Sequence, residues 1–446
     1  METLYREIMW HSLQSVPYSD NRSPILFHKV GNGLVFAGWG VSGCAATIVR
    51  VKTPITPPAT RSAEPALASP RTTASRLGAE GWLIATGVAV AGAVLRILML
   101  ALFAHANDDA TRGLLTKWDA RYYLAIAEHG YFPDDLAVDG PVHHYTMAFF
   151  PGYPFLVRAV TWLGVPPLVA AVLVSIAATV ALAGAAMALA ARLRPQWRDN
   201  RAAQTAAAVV VTSAPMAIVF AMPYTEALFG ALCLWALVAL CDRRWLLAGL
   251  LTAAAAATRL TAVDLIAAFA VTVLMWGRTE WRAWAGLVIS PLPLVGYLAW
   301  ANAHLGDVGG YFGTQQEHWN SSFDFGVSTV KWVWTQATTA DNAGYLLSCL
   351  AIVAAPLLLA ATWRRVPWPV WLFVAALIAN VLLSDGIMHS RPRLLLPAVV
   401  LAIPYVAQAV AGPRRVRRGA WCAVAAWVLF GAWFSAYMLA VFEWAI

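Results

Sequence analysis

The stretch WLIATGVAVAGAVLRILMLALFA, Trp82 to Ala104, carries a single charge, Arg96. A helix needs roughly 20 apolar residues to cross the ~30 Å hydrocarbon core of a bilayer. This stretch meets that length, and one apolar run after another follows it. Spans are expected at 82–104, 166–190, 202–222, 225–241, 245–258, 262–276, 284–303, 342–362, 367–384, 394–412 and 420–442. Of the 446 residues, 60% are hydrophobic and 12% charged, too little polar surface to cover a water-soluble fold of that size. The expected fold class is an all-α polytopic membrane protein with about 11 transmembrane helices.

The loops give the orientation. Arg192, Arg194, Arg198 and Arg201 mark one loop, and Arg243 and Arg244 the next on that side. Arg278 and Arg282, Arg364 and Arg365, and the run Arg414 to Arg418 mark the others. With the spans above, all face one side, and the bias of Lys and Arg toward cytoplasmic loops makes that side cytoplasmic. The protein is expected in the cell membrane, with its N-terminus in the cytoplasm. The net charge of +8 thus reads as orientation and not as a nucleic-acid footprint. The five cysteines show no CxxC spacing, so no disulfide framework or zinc site is suggested.

Residues 1–79 stand apart. Lys52 to Ser75 is rich in Pro, Ser, Thr and Arg and is expected to be disordered. Leu34 to Val49 is apolar but short and broken by glycines, a poor span. The expected organisation is a poorly structured cytoplasmic extension, 1–79, followed by a transmembrane domain, 80–446. Two longer loops, His105 to Tyr145 and His304 to Asp341, fall on the extracytoplasmic side.

The unusual polar clusters converge on that side. In WDARYYLAIAEHGYF, Trp118 to Phe132, the spacing of Trp118, Tyr122 and Ala125 predicts a short interfacial helix. Asp119 opens it, which has an ordinary reading as a helix cap. Trp118 and Arg121 flank it. His143 and His144 are neighbours, not four residues apart, and so suit a phosphate or a sugar better than a metal. The aromatics after them read as an interfacial belt. Glu226 opens an apolar helix in MPYTEALF, and Arg259 separates two apolar segments, where a snorkelling side chain is the ordinary account. Gln316, His318 and Trp319 lie in the second outer loop. His389, Arg391 and Arg393 precede another apolar run. These two arginines break the charge rule, and their planar forks suit a phosphate.

Singly, each cluster has a structural explanation. Sharing one side, they describe group transfer from a lipid phosphate, with a carboxylate as base and arginines on the leaving group. The alternatives are a transporter or flippase of lipid-linked sugars and a non-catalytic subunit of an envelope-synthesis complex. A transporter would place charge at mid-membrane on repeated halves, and no internal repeat is visible.

WDARYYLAIAEHGY followed by AFFPGYP resembles the PIG-V family of mannosyltransferases, the GPI mannosyltransferase II type, and its bacterial relatives. PYTEALF, Arg259, the Gln/His/Trp cluster and the turn at 391–393 follow in the family's order, and the resemblance runs from Trp82 onward. It implies a GT-C glycosyltransferase fold and a polyprenyl-phosphate-mannose donor. It implies that Asp119 accepts the acceptor hydroxyl's proton in an inverting transfer. The implied partners are membrane lipids, the lipid-linked donor and a lipid or glycan acceptor, with no nucleic acid; a partner subunit is left open. The Ala-, Arg- and Trp-rich composition resembles a high-GC, actinobacterial protein, for which a GPI acceptor is not expected, so the acceptor stays open. Arg391 or Arg393 is expected on the departing phosphate, from charge and side. No motif demands a cofactor, and the need for a metal is left open. A divalent cation between Asp119 and Glu226 is the alternative, although no DxD-like pair follows Asp119.

Overall fold

A computed structural model describes residues 26–30, 33–37, 77–134 and 136–444. The chain divides into two units, Met1–Ala66 and Leu67–Ile446. In the first, β1 (Leu26–Val30) and β2 (Gly33–Ala37) pair antiparallel, with Leu26 opposite Ala37 and Val30 opposite Gly33. Both runs are rich in β-branched and aromatic residues and flank Gly31-Asn32, a hairpin signal within the extension expected to be poorly structured. The expected disorder of Lys52 to Ser75 and most of the apolar stretch 34–49 lie outside the described residues.

The second unit is helical. It begins with α1 (Gly78–Ala106), α2 (Asp119–His129), α3 (Val142–Thr146), α4 (Gly152–Thr161), α5 (Pro167–Leu193) and α6 (Arg201–Thr212). Then come α7 (Glu226–Cys241), α8 (Trp245–Ala256), α9 (Ala262–Thr272), α10 (Trp281–Ile289) and α11 (Leu292–His304). Helices α12 (Gly310–Trp319) and α13 (Val327–Thr339) form the second loop, followed by α14 (Ala343–Ala361), α15 (Trp368–Leu382), α16 (Ile403–Val410) and α17 (Arg414–Ala440). Local chemistry sets several starts. Pro167 occupies the first turn of α5, where its missing N–H is no loss. Asn200 and Asn342 cap α6 and α14, accepting from the N–H groups of Ala203 and Tyr345 at 3.0 and 3.1 Å.

Every expected apolar segment carries helix, but the lengths differ. Among the described residues, five spans are long and apolar enough to cross a membrane: α1, α5, α10 with α11, α14 and α17. Met388–Leu394 and Leu396–Val410 pass the same test only as a pair, bent by 55°, the form of a broken span or a re-entrant loop. Helices α7, α8 and α15, and α9 with its π-helical continuation to Gly277, are apolar but shorter. At 1.5 Å per residue, α8 is only about 18 Å long.

The run expected as a span at 202–222 is helical only to Thr212. Pro215 cannot continue the helix, Met216 takes a left-handed conformation, and a 3₁₀ turn follows at Ala217–Ala221. Backbone of this kind survives at membrane depth only when protein surrounds it and its polar groups are paired. Both conditions hold. Ala214 and every residue from Met216 to Met222 are buried. Arg96, itself buried in α1, donates to the Thr212 carbonyl at 2.9 Å, a cation at a helix C-terminus. Ser175 on α5 donates to Met222 O at 2.7 Å, and Ser435 on α17 accepts from Ile218 N–H at 3.3 Å.

Small residues let helices touch. A Cβ built on Gly249 of α8 would lie 2.5 Å from the backbone of Gly286 on α10. Backbone atoms cannot move aside as a side-chain tip can. Gly249→Ala should therefore destabilise the protein by about 1–3 kcal/mol. Gly296→Ala, on α11 with open space around it, should be neutral or slightly stabilising. Thermal unfolding of the two purified variants in one detergent measures the difference.

Candidate active site

An ion-pair chain joins four residues from distant parts of the sequence. Arg393 donates through Nη1 to Asp119 Oδ2 at 2.7 Å, across 274 positions. Its Nε lies 3.4 Å from Glu226 Oε1. Arg259 donates to the same Glu226 oxygen at 2.6 Å and to the Thr225 hydroxyl at 3.0 Å. Two arginines thus face two carboxylates in a nearly dry setting. The side chains of Glu226 and Arg393 are 5% and 10% exposed, and that of Asp119 is 18% exposed. Such a cluster is tolerable in an apolar surround only because each charge meets its opposite.

The elements that bring these groups together are mostly the short or broken ones. The unwound segment after α6 ends at Tyr224-Thr225, and Glu226 is the first residue of α7. Arg259 follows the end of α8, and Arg393 lies in the short helical turn Arg391–Leu394 before the bend. Tyr224 is fully buried, and its ring lies 5.1 Å from the Arg393 guanidinium carbon, a cation–π contact. The Tyr123 hydroxyl is 3.3 Å from that of Thr225, which ties α2 to the start of α7. Ahead of Asp119, Trp118 holds φ of 60° and ψ of −128°, a conformation costly for a residue with a Cβ. That local strain sits against the carboxylate that faces Arg393.

The other expected residues divide. Arg391 turns from the cluster and donates to the Thr329 hydroxyl and the Ser384 carbonyl. Residues two apart on a helical turn point to nearly opposite faces, so only one of the two arginines can face Asp119, and it is Arg393. The His389 ring packs against Phe442 and Tyr345, with centroids at 5.1 and 6.0 Å. His144, His143, His318 and Trp319 form a neighbouring patch. His144 Nε2 is 3.0 Å from Asp307 Oδ2, the His143 and His144 rings are 4.6 Å apart, and His318 lies 4.1 Å from the Tyr145 ring. Burial and the adjacent His144 push the His143 imidazole below the usual histidine value. Tyr122 of α2 stacks on Phe149 and Tyr145 and meets Trp319 edge-on, so the patch abuts the helix that carries Asp119. Gln316 is exposed; it is Gln315 that reaches inward, donating to Ala148 O and the Tyr311 hydroxyl at 3.4 and 3.2 Å. Arg121 is exposed and lies over the Tyr122 ring, donating to its hydroxyl at 2.6 Å.

Sequence reasoning passed over Tyr224, Thr225 and Asp307. The first two stand inside the MPYTEALF run, and their proximity to Glu226 was the available signal. Asp307 had none, because its partner lies 163 positions away. Between Asp119 and Glu226, where an ion was considered, stands the Arg393 guanidinium. Among the described residues, no three His, Cys, Asp or Glu side chains gather as a metal site. A cavity of about 10 Å³ beside Glu226, Arg259 and Arg393 has room for roughly one water.

Residues 94–276 match the family described as Mannosyltransferase (PIG-V). That range contains Asp119, Glu226 and Arg259 but ends before Arg393. No curated protein matches the sequence.

The ion-pair chain has a measurable consequence. Removing one partner of a buried pair strands the other charge and costs about 3–5 kcal/mol. Glu226→Met should lower the unfolding midpoint accordingly. The double variant Glu226→Met/Arg259→Met should regain part of that loss, since the guanidinium left behind by the single change is gone. Thermal unfolding of the singles and the double, read as a mutant cycle, tests the coupling.

Proposed function

We propose that the protein is a mannosyltransferase that moves mannose from a polyprenyl-phosphate-mannose donor to a lipid or glycan acceptor at the outer face of the cell membrane. The observation that carries this reading is Asp119, partly exposed and fixed by Arg393 at 2.7 Å at the start of an aromatic helix. The family match over residues 94–276 supports the sugar and the reaction class. In the reaction, the acceptor hydroxyl oxygen attacks the anomeric carbon. The bond from that carbon to the phosphate oxygen breaks, and polyprenyl phosphate leaves with the electron pair. The hydroxyl proton passes to the Asp119 carboxylate, and attack opposite the leaving group inverts the anomeric configuration. Arg393 orients Asp119, and Arg259 and Glu226 hold Arg393 in place. The interposed guanidinium supports a chemistry in which the two carboxylates do not share an ion.

The outward orientation rests on the basic loops. Arg192 forms a double hydrogen bond with Asp242 at 2.8 and 2.7 Å, and Arg201 meets Glu80 at 3.1 Å. Glu80 and the loop leading to Asp119 lie at opposite ends of α1, about 40 Å apart by its helical rise. With basic loops inside, Asp119 faces out.

Purified protein in lipid nanodiscs, given labelled polyprenyl-phosphate-mannose and envelope lipid or glycan acceptors, should transfer the label. Asp119→Asn should lose about 10²–10⁴-fold of that rate while remaining monodisperse. Near-normal transfer by Asp119→Asn would remove the base role. Orientation has its own test. A single cysteine at the exposed Glu128, in a cysteine-free background, should react with an impermeant maleimide on intact cells; protection there until the cells are opened would reverse the topology.

A further inference from the structure

A second cleft, about 540 Å³, opens beside Asp119. Lys117, Trp118 and Arg121 wall one side, and Val441, Phe442 and Glu443, just past α17, wall the other. Its size falls within the range of small-molecule pockets. Trp118 is bonded directly to Asp119, so the cleft begins one residue, a ~3.8 Å Cα step, along the chain from Asp119. By contrast, the space beside Glu226, Arg259 and Arg393 holds only about 10 Å³.

The cations around Asp119 are not equally available. Arg393 is engaged by Asp119 and Glu226, Arg259 by Glu226 and Thr225, and Arg391 by Thr329 and Ser384. Among the described residues, neither Lys117 nor Arg121 forms an ion pair, and Arg121 gives one hydrogen bond to Tyr122. The cleft therefore offers two cations with donors to spare. Against the single carboxylate of Glu443 they leave one net positive charge, which matches the single negative charge of a phosphodiester. The Trp118 indole and the side chains of Val441 and Phe442 add an apolar lining.

We propose that this cleft binds the phosphodiester of an amphipathic lipid, with Lys117 and Arg121 on the phosphate oxygens and the first carbons of the lipid chain against Trp118, Val441 and Phe442. Resting on the transferase reading, it assigns the donor's phosphate to Lys117 and Arg121 and leaves Arg393 to orient Asp119. A bulk anionic phospholipid carries the same chemistry and is the other source to be distinguished.

The test uses the full-length protein in nanodiscs of phosphatidylcholine alone, with wild type, Lys117→Gln, Arg121→Gln and the double variant. A labelled short-chain polyprenyl methyl phosphate, a phosphodiester with no sugar to transfer, is the binding probe, so binding is read whether or not transfer occurs. Each single change should weaken binding about 10-fold, the loss of one charge-assisted contact, and Lys117→Arg should restore most of it. In transfer assays the donor KM should rise by a similar factor, with kcat and acceptor KM changed less. Unchanged probe binding in the double variant overturns the proposal. So does a rise confined to acceptor KM. Competition by phosphatidylglycerol at equal surface density would assign the cleft to bulk lipid and overturn the donor assignment. Probe binding that depends on Lys117 and Arg121 in a protein without transfer activity would uphold the phosphate site and fault the transferase reading alone.

Discussion

The contact between Arg393 and Asp119 decides most of what surrounds it. A carboxylate and a guanidinium in an apolar bundle must be brought together with few alternatives, because either one alone would cost several kcal/mol. Arg393 is near the end of the chain and Asp119 near the start of the helical unit, so their meeting closes the bundle upon itself. Glu226 and Arg259 extend the contact into a chain in which each acid touches a base. The result is a carboxylate whose position is fixed by three other elements. For general-base chemistry, that positional constraint matters as much as the identity of the residue.

The irregular backbone from Ser213 to Met222 serves the same end. A regular helix is interrupted here by Pro215 and the left-handed Met216. Unwinding delivers Tyr224, Thr225 and Glu226 as a packed corner. The segment is held by hydroxyls on α5 and α17 and by Arg96. Gly431 on α17 makes that fit feasible, since a Cβ there would come within 2.1 Å of the Ser213 carbonyl. The ordered corner and the strained Trp118 both place their irregularity next to acidic side chains, where regular structure would be the lower-energy choice.

Composition and apolar runs were enough to read the fold class, because the hydrocarbon core sets a length that sequence displays directly. Asp119, Glu226 and Arg259 were legible as charges out of place. The choice between Arg391 and Arg393 was not, since two residues on one turn differ only in which face they present, and packing decides that. The 202–222 run shows the complementary limit. Apolarity says that a segment is buried, not that it is helical, and Pro215 was the sole local sign of the break. Gln315 in place of Gln316 is the same kind of one-position ambiguity on α12. Lys117 was overlooked because a lysine in a loop between apolar runs has an ordinary explanation until a cleft is seen beside it.

The shortness of α8 and α9 reaches beyond the protein. Leu250 and Val263 are exposed apolar side chains on these helices. A bilayer whose hydrocarbon core is ~30 Å thick meets an apolar face of about 18–24 Å by thinning. Hydrophobic mismatch at this face would draw the nearer headgroup layer toward the level of Arg259 and Glu226. The membrane itself would then be dimpled beside the site, shortening the distance a phosphate must leave its headgroup plane to reach the protein.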